Sequence, residues 1–260
     1  EGEATLTMMG VGMEDWNGTK ISGMRSEDMD RAFSFMTPFL SFLGGGQSLK
    51  SAPPIISESM LFPYIRGMIY CTKLVNTGGW KALDEAYRNP PLSTEQILHP
   101  DKYREKPDFP MTIDLGKLTP GDEWKELGRN VLGEMQLAVL LRNDGGKPAA
   151  AGWDGDAYAV FENASQQLGL VWLTTWDSEQ DAKEFSSGYL KYQTNKLEKG
   201  APKPDPAALA LTRERDGVAY ALERRGKDVA VIEGFSPEAT ALLKEQVFKS
   251  TKTELKGSMP

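Results

Sequence analysis

Apolar residues recur at helical spacing through most of the first half of this chain and then alternate in twos, a change that falls at Asn143-Asp144-Gly145-Gly146-Lys147-Pro148. A spacing of 3.6 and a spacing of 2 cannot serve the same element type. The chain is therefore expected to be α+β, with a mainly helical part over 1–146 and an α+β accessory part over 147–260. Its 260 residues can bury a substantial core as one large or two modest domains.

In the first half, Leu6, Met9 and Met13 are spaced for a helix within Gly2 to Glu14. Ser26 is a good N-cap for Met29, Phe33, Met36 and Leu40, with Pro38 kinking or ending that helix. Phe33 to Leu43 reads as a core helix, and Gly44 to Pro54 as a connection. A third helix is expected from about Ser57 to Val75, with Met60, Leu61, Tyr64, Ile65, Met68, Ile69 and Thr72 as its stripe and Pro63 in its first turn. Asn76-Thr77-Gly78-Gly79 turns it into a shorter helix carrying Trp80, Leu83 and Tyr87, stopped by Asn89-Pro90-Pro91. Ser93 opens a very short helix, with Gln96 at capping-box spacing. Met111 to Leu115 is a candidate strand, and a helix is expected from about Asp122 to Arg142 with Trp124, Leu127, Val131, Leu132, Met135, Ala138 and Val139 inward.

The second half reads as a strand-strand-helix unit used twice. Ala157 to Phe161 and Leu170 to Trp176 are paired strands, followed by a helix that Ser178 and Asp181 cap and that carries Ala182, Phe185, Tyr189 and Tyr192. After a linker from Lys199 to Pro206, strands are expected at Leu209 to Glu214, Val218 to Glu223 and Val229 to Glu233. Turns at Asp216-Gly217 and Arg225-Gly226 join them, and Ser236-Pro237-Glu238 starts a last helix. The expected product is an antiparallel sheet with both helices on one face.

Composition narrows the chemistry. The formal charge is -7, and the C-terminal lysines are interleaved with Glu245 and Glu254, so no phosphate-tracking surface for nucleic acid is expected. No apolar run approaches the ~18 residues of a membrane span. With one cysteine, Cys71, a disulfide within the chain and a cysteine-rich metal site are excluded. With one histidine, His99, a Ser-His-Asp or Cys-His centre has no second imidazole to draw on. No phosphate-binding glycine loop is present, and Gly10-Val11-Gly12 lacks the third spaced glycine of a dinucleotide site.

The start, Glu1-Gly2-Glu3-Ala4-Thr5, belongs to an ordered series. It continues through Phe62-Pro63-Tyr64 with Gly67, Gly78-Gly79-Trp80, Tyr87, Pro90-Pro91, Ser93 to Pro100 and Tyr103. Leu127-Gly128, Leu132-Gly133-Glu134, Gly152-Trp153-Asp154-Gly155-Asp156 with Tyr158, and Trp176-Asp177-Ser178-Glu179 with Asp181-Ala182 and Glu184-Phe185 complete it. The series resembles a family of bacterial lipoproteins and secreted proteins of the gluzincin, or thermolysin-like zinc peptidase, type. The resemblance implies a zinc-dependent peptide-bond hydrolase, extracytoplasmic and anchored by lipid upstream or secreted. In that family a His-Glu-x-x-His helix gives two ligands and the general base, and a glutamate on a later helix gives the third ligand.

On this resemblance Glu1 is the third ligand and Glu3 the lesser candidate. The two histidines come from polypeptide outside this sequence: an upstream part of the same protein or another subunit. The start at Glu1, without an initiator Met, is read as a segment with something upstream removed. His99 is either a substrate or transition-state hydrogen-bonding group or a structural histidine locking its turn, and Tyr64 either an oxyanion donor or a core tyrosine. Trp153, Asp154, Asp156 and Trp176 invite a calcium or ligand site, but two aspartates fall short of the ~6 oxygens calcium takes. They read better as a strand entry with tryptophans packed between sheet and helices. A non-catalytic structural or interaction subunit on the same scaffold is the rival reading.

Overall fold

The computed structural model describes residues 1–12, 51–197, 205 and 209–256. The expected Ser26 cap, the helix through Leu40, the core helix Phe33 to Leu43 and most of the linker from Lys199 to Pro206 lie outside them. Two compact units are described, Glu1–Asp108 and Phe109–Lys256. The turn at 143–148, where the spacing changes, lies within the second.

The first unit is helical. Helix α1 (Gly2–Gly12) packs on α2 (Pro54–Arg88), which is followed by α3 (Thr94–Leu98) and α4 (Asp101–Arg104). Pro63 falls inside α2, not in its first turn, because the helix starts a further two turns upstream at Pro53-Pro54. At Gly79 the backbone leaves helical geometry (φ 66°, ψ −173°), so the expected break occurs there. An L-residue pays for a positive φ, which glycine adopts freely. The buried stripe begins later than expected, with Met68, Ile69, Tyr70, Cys71, Leu74 and Val75, whereas Met60 is exposed. Leu6 of α1, Ala82, Leu83 and Tyr103 close this core.

The second unit holds one six-stranded antiparallel sheet, in the order β2-β3-β4-β7-β6-β5. Its strands are β2 (Trp124–Asn130), β3 (Trp153–Asn163), β4 (Leu168–Trp176), β5 (Ala210–Arg215), β6 (Val218–Arg225) and β7 (Asp228–Phe235). A two-stranded ribbon joins β1 (Met111–Asp114) to β8 (Thr251–Glu254), a strand the spacing did not suggest. Helices α5 (Gly133–Leu140), α6 (Gly146–Ala150), α7 (Glu179–Leu197) and α8 (Pro237–Val247) complete it. The α+β class, the antiparallel sheet and the strand-strand-helix unit used twice are all present.

Two further expectations are corrected in this unit. The helix expected over 122–142 is a strand followed by a short helix. Gly133 has φ 78°, which no α-helix interior accommodates, and β2 hydrogen-bonds to β3 with an irregularity at Glu126/Gly128. Leu127 and Val131, expected inward, are 52% and 49% exposed.

The second correction concerns the two unit helices, which lie on opposite faces of the sheet. Val171, Leu173, Ala230 and Ile232 pack with Ala239, Leu243 and Val247 of α8, whereas Trp172, Trp176, Val229 and Val231 pack with Phe185, Tyr189 and Leu190 of α7. The reason is readable in Val229-Ala230-Val231-Ile232. Neighbouring strand residues point to opposite faces, so an unbroken apolar run demands a cover on each. A single layer of helices would leave one set in water, at about 1.5–3 kcal/mol per large side chain.

The helix caps follow the sequence. Ser178 Oγ accepts from Asp181 N, Ser93 Oγ from Gln96 N, and Ser236 Oγ from Ala239 N at 3.2 Å. Ser236→Ala is expected to lower stability by about 1 kcal/mol in urea denaturation, with Ser236→Gly costing only a few tenths.

Candidate functional site

Glu1 stands immediately before α1, exposed, and its carbonyl oxygen accepts from both the backbone N–H (2.9 Å) and the hydroxyl (2.8 Å) of Thr5. The next residue is the contact point with α2. A Cβ added to Gly2 would lie 2.2 Å from the carbonyl carbon of Gly67, so the two backbones touch directly. This explains the paired glycines of the Glu-Gly-x-Ala and Phe-Pro-Tyr…Gly segments: each removes the side chain that would hold the helices apart. Glu3 is not free in the way Glu1 is, because its carboxylate accepts from the hydroxyl of Tyr87 near the end of α2.

Tyr64 lies one helical turn before Gly67 on α2 and is 45% exposed, so the alternative of a core tyrosine is set aside. The buried tyrosines of this unit are Tyr70 and Tyr103, edge to face at 5.4 Å. Burial pushes the Tyr70 phenol far above its ordinary range, with Tyr103 beside it adding to the effect. The Cys71 thiol is likewise pushed up to about 11, by burial first and by the Glu3 carboxylate second. It is an inert core thiol at neutral pH.

His99 caps the C-terminus of α3: its N–H donates to the Glu95 carbonyl (2.7 Å), and its own carbonyl accepts from Lys102 N (2.8 Å). Both are bonds of its backbone. Around it Lys102 Nζ bridges the buried Glu95 (2.7 Å) and Asp108 (2.9 Å), and Gln96 Nε2 donates to the Asp108 carbonyl at 2.6 Å. These contacts tie Ser93 to Pro100 to the chain that follows it. Thus Glu1 and Tyr64 belong to the α1–α2 crossing, and His99 to the α3–α4 turn.

The second unit contains a polar centre that spacing did not reveal. Asp156 on β3 is 1% exposed, and its carboxylate accepts four N–H bonds: from the backbone of Leu132 (2.9 Å) and Gly133 (2.9 Å) and from the indoles of Trp153 (2.9 Å) and Trp172 (3.0 Å). Burial pushes its carboxyl above the usual range, and the four donors pull against that. The acid closes the N-terminus of α5, where unpaired N–H groups favour a negative charge. All of its lone-pair directions are spent on protein donors, so it is a joint and not a calcium ligand.

The rest of that motif is used the same way. Gly152 (φ 74°) lies where a Cβ would meet the Asp181 carboxyl at 2.6 Å, and a Cβ on Gly155 would lie 2.3 Å from the Met111 carbonyl oxygen. Trp172 and Trp176 pack on Phe185 of α7 at 5.6 and 4.8 Å, between sheet and helix as their spacing implies.

Residues 122–244 match the model of a family described as Domain of unknown function (DUF8575). The match runs from just before β2 into α8 and includes every residue of the Asp156 joint. No curated protein and no solved structure matches the chain.

Proposed function

We propose that this chain supplies Glu1 as the carboxylate ligand of a thermolysin-type zinc site, with two imidazoles and the general base donated by polypeptide outside this sequence. The observation that supports the reading is the root of Glu1, which directly precedes a helix whose first turn is clamped backbone to backbone through Gly2 and Gly67. A ligand needs a fixed root and an uncommitted carboxylate, and the Glu3 carboxylate is engaged by Tyr87. The metal would polarise the scissile carbonyl and lower the pKa of its water.

With one histidine in its sequence, this chain cannot assemble the ligand set alone. The activity proposed for the whole protein is peptide-bond hydrolysis outside the bacterial cytoplasm, in the periplasm, at the outer surface or after secretion, with an upstream lipid anchor where one is present. Among the described residues no helix is long and apolar enough to cross a membrane.

The test is the zinc content of protein expressed from the complete coding sequence. One zinc per chain is expected, and Glu1→Gln should weaken zinc binding by about a hundredfold, at or beyond the upper end of what second-shell changes cost. Glu3→Gln should leave it within about threefold. The reading fails if no His-Glu-x-x-His pair precedes Glu1, or if Glu1→Gln binds zinc as tightly as the parent.

The second reading is a non-catalytic structural or interaction subunit. It is favoured by the single histidine of the sequence, which gives this chain no imidazole pair of its own. A zinc-free protein that co-purifies in fixed ratio with another polypeptide would support this reading over the first.

A further inference from the structure

We infer that the outer edge of β2 is a self-association site, where β2 of a second copy of this chain pairs with it antiparallel and joins the two sheets into one. The inference goes beyond the zinc reading and does not depend on it. Strand β2 ends the six-stranded sheet, and among the described residues no strand lies on its outer side. Every residue of β2 except Trp124 is exposed. Its outward backbone N–H and C=O groups are therefore left to water or to another strand. The strand is nonetheless held in place, by its ladder to β3 and by Trp124, whose ring centre lies 4.6 Å from that of Phe235.

The side chains say which strand fits. Charges of one sign along an edge repel a second copy, but β2 carries both signs in a self-complementary order. The irregularity between Glu126 and Gly128 brings Glu126 and Arg129 to one face, where the guanidinium donates to the carboxylate at 2.8 and 2.9 Å. A twofold axis midway between Leu127 and Gly128 sets Glu126 opposite Arg129 of the second copy, and Arg129 opposite its Glu126. The same register sets Lys125 opposite the neutral Asn130, and Trp124 opposite Val131, an aromatic facing a β-branched side chain. Leu127, 52% exposed, comes opposite Gly128, where no atom lies within 4 Å of an added Cβ. The neighbouring register, centred on Leu127, sets Lys125 against Arg129 and is disfavoured. A contact whose two halves are the same patch closes as a dimer.

The experiment is sedimentation equilibrium of the whole chain: the parent, Glu126→Arg, Arg129→Glu, an equimolar mixture of those two, and a chain carrying both substitutions. The parent should dimerise reversibly, since one strand a side places the contact among small, transient interfaces. Each single variant sets like charges opposite each other on both sides of the axis and should dimerise at least about tenfold more weakly. In the mixture every substituted side chain faces an opposite charge on the other variant, so mixed dimers should form within about threefold of the parent affinity. Mixing cannot restore the ion pair within either chain, so this recovery belongs to the contact between chains. The doubly substituted chain keeps its own ion pair in reversed order and should dimerise like the parent. Circular dichroism of all the variants should match the parent, since both positions are exposed. A parent that sediments as a monomer at every concentration up to about 1 mM overturns the inference, even if it captures some other polypeptide. Single variants that dimerise like the parent, or a mixture that stays monomeric, overturn it equally, and all of these outcomes leave the zinc reading standing.

Discussion

Asp156→Ala is expected to be the most damaging single change in the sheet unit, costing about 4 kcal/mol. A buried donor left without a partner costs about 1–3 kcal/mol, and the effects of neighbours are not additive. Here four donors lose their acceptor together: two backbone N–H groups at the head of α5 and two indoles. Removing the carboxylate also removes the cost of burying a charge, but the donors remain in the core with nothing to bond. Asp156→Asn should restore less than half of the loss, because its amide group turns two hydrogens toward groups that are themselves donors. The check is thermal unfolding followed by tryptophan fluorescence. A fall of roughly 8–16 °C corresponds to this loss for a unit of this size. A variant melting within about 2 °C of the parent would show that water replaces the carboxylate at little cost.

The second large effect is expected at Gly2. Alanine there places a methyl group 2.2 Å from the Gly67 carbonyl carbon and 2.5 Å from its oxygen, and both are backbone atoms that cannot swing aside. Overpacking of this kind costs about 1–3 kcal/mol, and the thin contact of α1 places Gly2→Ala at the top of that range. The helix should separate from α2 before the unit melts. Hydrogen exchange reads this directly: amides of Thr5 to Gly10 should lose protection while those of Met68 to Val75 keep it. Alanine at Gly217, where no atom lies within 4 Å of the added Cβ but φ is 76°, serves as a control for strain without collision. Full protection of α1 in Gly2→Ala would mean that the crossing is looser than its geometry implies.

Why some of this architecture is visible in sequence and some is not follows from how local each signal is. Ser178 with Asp181, Ser93 with Gln96 and Ser236 with Ala239 are caps whose partners lie three residues apart, so spacing alone finds them. The paired strands around Asp216-Gly217 are equally local, with both turn residues at positive φ (54° and 76°) as a tight hairpin requires. Strand β2 was hidden because Trp124, Leu127 and Val131 happen to fall at helical intervals, although two of the three face outward. A glycine at 128 and another at 133 were the available warning. The placement of α7 and α8 on opposite faces was legible in the unbroken apolar run of β7, but only once that run was read as two faces and not one.

The Asp156 joint draws its donors from residues 132–133, 153 and 172, which no local pattern connects. Its one sequence sign is an aspartate inside an apolar strand beside tryptophans whose indole N–H groups need acceptors. Within the first unit, the contact between Glu3 and Tyr87 is equally remote in sequence.

X-ray absorption at the zinc edge of the complete protein reads the atoms around the metal. The account predicts two imidazole nitrogens at about 2.0–2.1 Å, one carboxylate oxygen and one water oxygen, with the carboxylate contribution lost in Glu1→Ala. Sulfur in the coordination shell, or a spectrum unchanged by that substitution, would contradict it.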